Sequence, residues 1–116
     1  MGRPVVHFEF GCRDKAKTRA FFGEMFGWTF DEHGPASVID TQASGAGIRG
    51  HINALGHEPH NYTVVYVDVD DVPEALAKAE SLGGKTLVPP VTIPDGVFAW
   101  FADPEGNPVG LWKATA

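Results

Sequence analysis

The chain has little of three things: cysteine, basic charge and long apolar runs. Cys12 is the only cysteine, so no disulfide can form within the chain, and we expect a reducing, cytoplasmic setting. Lys and Arg number 9 against 15 Asp and Glu, a formal net charge of −6, which disfavours binding to a nucleic-acid backbone. No apolar run approaches the roughly 18 residues of a membrane helix. The sequence therefore predicts neither a nucleic-acid nor a membrane partner.

The composition is that of an ordinary globular domain. The chain has 116 residues, of which 43% are hydrophobic and 21% are charged. A chain of this length forms one domain with a core of its own. We therefore expect a single domain over residues 1–116.

The first element predicted is a strand over residues 4–10. Phe8 and Phe10 lie on one face of this alternating segment, and His7 and Glu9 lie on the other. The apolar face belongs on a core. The face with two ionisable groups meets either solvent or a polar cavity.

A helix should follow this strand, with Asp14 as its N-cap and Gly27 as its left-handed C-cap. Its apolar stripe is predicted to be buried and consists of Ala16, Ala20, Phe21 and Met25. Its basic cluster is predicted to form a solvated face and consists of Arg13, Lys15, Lys17 and Arg19. Three short strands follow, with a Gly/Ser-rich turn over residues 41–47.

The same pattern then repeats. Residues 62–69 alternate as a strand, Asp71 and Glu74 have the spacing of a capping box, and Gly83 ends the second helix. The stripe predicted to be buried on this helix consists of Val72, Leu76, Ala79 and Leu82. Three further strands complete the chain. The sequence therefore predicts an α+β fold of two βαβββ modules, at about residues 1–55 and 60–116.

Four segments together resemble the vicinal oxygen chelate superfamily, which includes glyoxalases, bleomycin-resistance proteins and extradiol dioxygenases. They are residues 6–10 (VHFEF), 21–28 (FFGEMFGW), 66–72 (YVDVDDV) and 103–112 (DPEGNPVGLW). The resemblance covers essentially the whole chain. It implies paired βαβββ modules that form an open antiparallel half-barrel around a cavity, and usually a homodimer.

The resemblance also implies where a metal ion would bind. In metal-using members the ligands come from the first and last strands of each module, and His7 and His51 match two of these positions. The matching positions of the second module hold Val64 and Gly110, whose side chains cannot donate to a metal. Half of the usual ligand set is therefore missing.

The best acid–base candidates are His7 and Glu9, which we identify as catalytic if the protein is an enzyme. A desolvated carboxylate can act as a general base. The alternative is that Glu9 is held in an ion pair with Arg49 or Arg13.

Aromatic side chains are candidates for the wall of the cavity, and Gly110 is expected to leave room for a ligand beside them. An apolar, aromatic lining suits small-molecule binding, whereas a role in the core or at a dimer interface is the alternative. The expected ligand-binding residues are Arg49, His51, Tyr62, Val64, Tyr66, Trp100, Gly110 and Trp112.

Three functions remain open. The favoured one is a member without a cofactor that binds a small hydrophobic or aromatic molecule. The alternative is a metal-dependent lyase, isomerase or dioxygenase that uses His7, His51 and Glu9 with nickel, zinc, manganese or iron. The third is a non-catalytic dimerising subunit whose cavity is filled by its own aromatic side chains.

Overall fold

The computed structural model describes residues 2–41 and 45–115 and has a mixed α+β architecture. Three residues of the turn expected over 41–47 lie outside this description. The elements follow the order strand, helix and three strands, twice, as the sequence predicts. They are β1 (Val5–Gly11), α1 (Lys15–Phe26), β2 (Thr29–His33), β3 (Ala36–Asp40), β4 (Arg49–Asn53), β5 (Thr63–Asp68), α2 (Val72–Ser81), β6 (Lys85–Ile93), β7 (Gly96–Ala102) and β8 (Pro108–Ala114).

The chain divides into two compact units. The first unit is His7–Thr63, and the second unit is Met1–Val6 with Val64–Ala116. The single domain with modules at about residues 1–55 and 60–116 stays a prediction. No helix among the described residues is long and apolar enough to span a membrane.

The first unit contains a sheet in the order β2, β3, β4, β1. The β2–β3 and β3–β4 pairs are antiparallel, whereas β1 and β4 are parallel. The parallel pair departs from the antiparallel pattern of the expected half-barrel. It arises because α1 carries the chain back before the meander of three strands begins, so that β4 returns in the direction of β1.

Local capping signals set the ends of α1 as expected. The Asp14 side chain accepts a hydrogen bond from the Lys17 backbone N–H at 3.0 Å. Gly27 has a φ of 71° and donates its N–H to the Gly23 carbonyl. Only glycine adopts this left-handed conformation at little cost.

The inward face of α1 differs from the prediction. Phe21 and Met25 are 62% and 63% exposed, and Ala16 and Ala20 are exposed too. Phe22 packs inward instead, stacked between Phe10 and Trp28 with ring centroids 5.2 and 5.3 Å away. The predicted stripe was wrong because a shift of one residue turns a helix by about 100°, and the stack with Phe10 and Trp28 determines which phenylalanine packs inward.

The basic cluster of α1 is also not simply a solvated face. Lys15 Nζ lies 2.6 Å from Glu32 Oε1, and Arg19 Nη1 lies 3.2 Å from Glu32 Oε2. The Lys15 ammonium and then the Ser37 hydroxyl lower the pKa of Glu32 through hydrogen bonds. These contacts tie α1 to β2 at the edge of the first unit.

The second unit has strand order β5, β8, β7, β6, with α2 packed on β7, β8 and β6. Asp71 caps α2 by accepting from the Glu74 backbone N–H at 2.9 Å, as predicted. The helix buries Val72 and Leu76 against Ala99 and Leu111. Leu82, which the sequence places in the buried stripe, is 70% exposed because α2 ends one residue before it.

Candidate functional site

The register of β1 and β4 brings three ionisable side chains of the first unit together. The two strands are parallel neighbours, with His7 opposite Arg49 and Glu9 opposite His51. Residues two apart on a strand share a face. His7, Glu9 and His51 therefore converge, although 44 positions separate the two histidines in sequence.

Four polar side chains form one chain of contacts. His7 Nε2 lies 2.7 Å from His51 Nδ1, and His51 Nε2 lies 3.1 Å from Glu9 Oε1. The Tyr62 hydroxyl donates a hydrogen bond to the other carboxylate oxygen, Glu9 Oε2. We call these four residues, His7, His51, Glu9 and Tyr62, the polar chain.

A glycine allows Tyr62 to reach Glu9. A Cβ atom at Gly11 would overlap the Tyr62 ring, so the ring packs directly on the backbone of β1. The Gly11 N–H also donates to the Tyr62 carbonyl at 2.9 Å. Since Glu9 is two residues before Gly11, the Tyr62 hydroxyl falls beside its carboxylate.

The polar chain is largely shielded from solvent. Glu9 is 3% exposed, and the His51 side chain is 20% exposed. Burial, and then the neighbouring His51, lower the pKa of His7 to about 4, against a smaller opposing effect of Glu9. His7 is therefore neutral near pH 7, when its ring has one N–H donor and one acceptor nitrogen.

The contacts of Glu9 differ from the ion pair considered in the sequence. The sequence offers Arg49 or Arg13 as partners, but Glu9 contacts His51 and Tyr62. Arg13 instead lies 3.9 Å from Glu58, and Arg49 is exposed at the start of β4. The sequence assigns Tyr62 to an aromatic wall and does not predict the contact of its hydroxyl with Glu9. Gly11 is the sequence feature that could have indicated this contact, because a Cβ at this position would overlap the Tyr62 ring.

The second unit fills its corresponding face with its own side chains. Val64, Tyr66 and Trp100 are all buried, and Trp100 Nε1 donates to the Tyr66 hydroxyl at 2.8 Å. A Cβ at Gly110 would overlap the Tyr66 ring. The room that the sequence assigns to a ligand at Gly110 is thus taken by Tyr66.

Trp112 occupies a different place. It is half-buried on β8, and its ring packs on Gly96, where an added Cβ would lie 2.8 Å from it. A ligand-binding role for Trp112, Val64, Tyr66, Trp100 or Gly110 remains a prediction.

The donors present do not fit the metal site that the resemblance implies. The described residues contain no group of three or more His, Cys, Asp or Glu side chains that could hold a metal ion. His7 Nε2 and His51 Nδ1 are at hydrogen-bond distance from each other, so one of these nitrogens carries a proton. Catalytic zinc and non-haem iron sites use about three protein ligands, and Val64 and Gly110 supply none.

A family model described as "Glyoxalase/Bleomycin resistance protein/Dioxygenase superfamily" matches residues 5–111. Among curated proteins, the anthracycline biosynthesis protein DnrV of Streptomyces peucetius is 26% identical, over 91% of this chain and 45% of its own length. The chain therefore spans less than half of that relative.

Two solved structures show the same fold. A glyoxalase/bleomycin resistance protein/dioxygenase superfamily member from Vibrio splendidus has a TM-score of 0.66 at 14% identity, over 98% of this chain and all of its own. The Mn(II)-bound glyoxalase from Novosphingobium aromaticivorans also has a TM-score of 0.66, at 19% identity, over 97% of this chain and 40% of its own.

Proposed function

Because the chain belongs to the glyoxalase/bleomycin resistance protein/dioxygenase superfamily, we propose that it binds a small hydrophobic or aromatic molecule beside the polar chain without a resident divalent metal. The observation that carries this proposal is that His7, His51, Glu9 and Tyr62 satisfy one another through hydrogen bonds. A homodimer and a cytoplasmic location belong to the same proposal.

The polar chain supports recognition of a polar group on an otherwise apolar ligand. Buried hydrogen-bonding groups in fixed positions orient a ligand, whereas apolar and aromatic surface supplies most of the affinity. The Tyr62 ring, held against Gly11, provides such aromatic surface next to the imidazoles. His7 and Glu9 would then act on the ligand as acid–base groups if the protein is catalytic.

The relative from Streptomyces peucetius supports the aromatic class. Its name associates it with anthracycline biosynthesis, and anthracyclines are polycyclic aromatic compounds. We extend this association to the present chain only as a choice of compounds to test first.

The proposal is tested by thermal unfolding in the presence of hydroxylated aromatic compounds and a metal chelator. A ligand at 100 times its dissociation constant stabilises the folded state by about 2.7 kcal/mol, which raises Tm by roughly 10 °C in a domain of this size. His51→Ala should abolish the rise. The matched control, His33→Ala, changes an exposed histidine outside the polar chain and should keep it.

Two outcomes would contradict the proposal. If no compound raises Tm, the account in which the chain is a non-catalytic subunit gains support, consistent with the Tyr66 ring lying over Gly110. If a rise appears only with added metal and disappears with chelator, the metal-free claim is wrong.

The alternative function is a metal-dependent lyase, isomerase or dioxygenase. The convergence of two imidazoles, with His7 Nε2 and His51 Nδ1 2.7 Å apart, favours it over other enzyme classes. With His7, His51 and Glu9 as the site residues, it predicts turnover that needs nickel, zinc, manganese or ferrous iron and is lost in His7→Ala.

A further inference from the structure

Tyr62 is held in place from two sides. Its ring packs on Gly11, where no Cβ can be accommodated, and its carbonyl accepts the Gly11 N–H at 2.9 Å. Its hydroxyl donates to Glu9 Oε2. A tyrosine fixed at both the backbone and the ring fixes in turn the carboxylate to which its hydroxyl is bonded.

The fixed Glu9 carboxylate in turn decides which ring nitrogens of His51 and His7 carry protons. With Oε2 bonded to Tyr62, the other oxygen, Oε1, lies 3.1 Å from His51 Nε2. An ionised Glu9 carboxylate only accepts hydrogen bonds, so Nε2 of His51 then carries the proton. In its neutral form the His51 ring has one proton, so Nδ1 accepts, and the nitrogen 2.7 Å from it, His7 Nε2, donates.

We infer that Tyr62 is a positioning residue that sets the tautomers of His51 and His7 through Glu9. Both histidines then carry their proton on Nε2, and every bond of the polar chain has one donor and one acceptor. That this arrangement of protons matters to a ligand rests on the proposed function. The arrangement itself exists in the ligand-free protein.

This order bears directly on the metal ligands that the family resemblance implies. In this tautomer Nε2 of His51 is protonated, and its Nδ1 lone pair accepts from His7. A metal ligand needs a nitrogen lone pair directed at the ion. Tyr62 and Glu9 therefore stabilise His51 as a link in a hydrogen-bonded chain, in competition with metal ligation.

The test is nuclear magnetic resonance of the ligand-free protein with ¹⁵N-labelled histidine. Long-range proton–nitrogen correlations distinguish a protonated ring nitrogen from an unprotonated one, and the chain has only five histidines to assign. At pH 7.5 we expect wild-type His51 and His7 each to show a protonated Nε2 and an unprotonated Nδ1. In Tyr62→Phe the two His51 nitrogens should shift towards the averaged values of exchanging tautomers.

The matched control is Tyr66→Phe. It removes the hydroxyl of the protein's other tyrosine, which accepts a hydrogen bond from Trp100 Nε1. It should leave the signals of His51 unchanged. A second variant, Gly11→Ala, keeps the Tyr62 hydroxyl but adds a Cβ that would overlap the Tyr62 ring and lie 2.7 Å from the His60 carbonyl oxygen. It should shift His51 in the same direction as Tyr62→Phe.

The inference is overturned if wild-type His51 carries its proton on Nδ1, a result that depends on no variant. It is overturned equally if Tyr62→Phe folds and leaves His51 unshifted, or if Tyr66→Phe shifts His51 as much. Because no ligand is present, these outcomes are independent of the thermal-unfolding test of the proposed function.

Discussion

Gly110→Ala tests whether the face of the second unit is filled by its own side chain. An added Cβ would meet the ring of Tyr66, with Cε1 2.5 Å and Cγ 2.9 Å away. Tyr66 is 6% exposed, so the ring has little free space to move into. The substitution must therefore displace a buried ring or bend β8.

The opposing effects can be compared in size. Overpacking a core costs about 1–3 kcal/mol, and loss of the hydrogen bond from Trp100 to Tyr66 adds about 1 kcal/mol. Replacing a strand glycine returns roughly 0.5–1 kcal/mol of backbone entropy. We expect a net loss of about 1–3 kcal/mol in the free energy of unfolding, or roughly 4–12 °C in Tm.

The assay is urea unfolding followed by tryptophan fluorescence, in wild-type and Tyr66→Ala backgrounds. With the Tyr66 ring removed, Gly110→Ala should cost nothing, which gives a coupling energy of a few kcal/mol in the double-mutant cycle. Gly23→Ala is the control, because a Cβ there meets its nearest atom at 3.6 Å and a helix gains up to about 1 kcal/mol from alanine. Equal costs of Gly110→Ala in both backgrounds, or no cost in the wild type, would refute the reasoning.

Two further predictions concern stability. The pKa of His7 is lowered from 6.5 to about 4. Between these two pH values the unfolded state therefore binds a proton that the folded state does not bind. The free energy of unfolding must then fall as the pH drops through this window. We expect a loss of about 2 kcal/mol, allowing for the partial exposure of the ring, and a flatter pH profile for His7→Gln; an unchanged profile would contradict the assignment. Asp71→Ala removes the cap of Glu74 N–H and should cost about 1 kcal/mol in urea unfolding, whereas full stability would show that the cap contributes nothing.

The sequence predicts well those features that depend on neighbouring residues. Asp14, Gly27 and Asp71 set helix ends through hydrogen bonds or backbone conformations within a few positions, and the element order follows from them. The exposed Phe21 and the half-buried Phe22 show the limit, because the phenylalanine that packs inward is chosen by an aromatic stack with Phe10 and Trp28.

In the candidate site, too, features set by neighbouring residues could be predicted and contacts between distant residues could not. Strand alternation puts His7 and Glu9 on one face, and the family resemblance adds His51. The contact of Tyr62 with Glu9 spans 53 positions and requires the exact path of the chain after β4. Gly110 indicated only the absence of a side chain, and the sequence could not tell whether a ligand or Tyr66 would take the space.

The most direct test of the metal-free claim is the metal content per chain. The protein would be incubated with nickel, zinc, manganese and ferrous iron, desalted and analysed beside a His7→Ala control. We expect no stoichiometric metal in either protein, since both His51 nitrogens and His7 Nε2 are engaged in contacts within the polar chain. About one ion per chain in the wild type, lost in His7→Ala, would contradict the account and put the metal-dependent enzyme first.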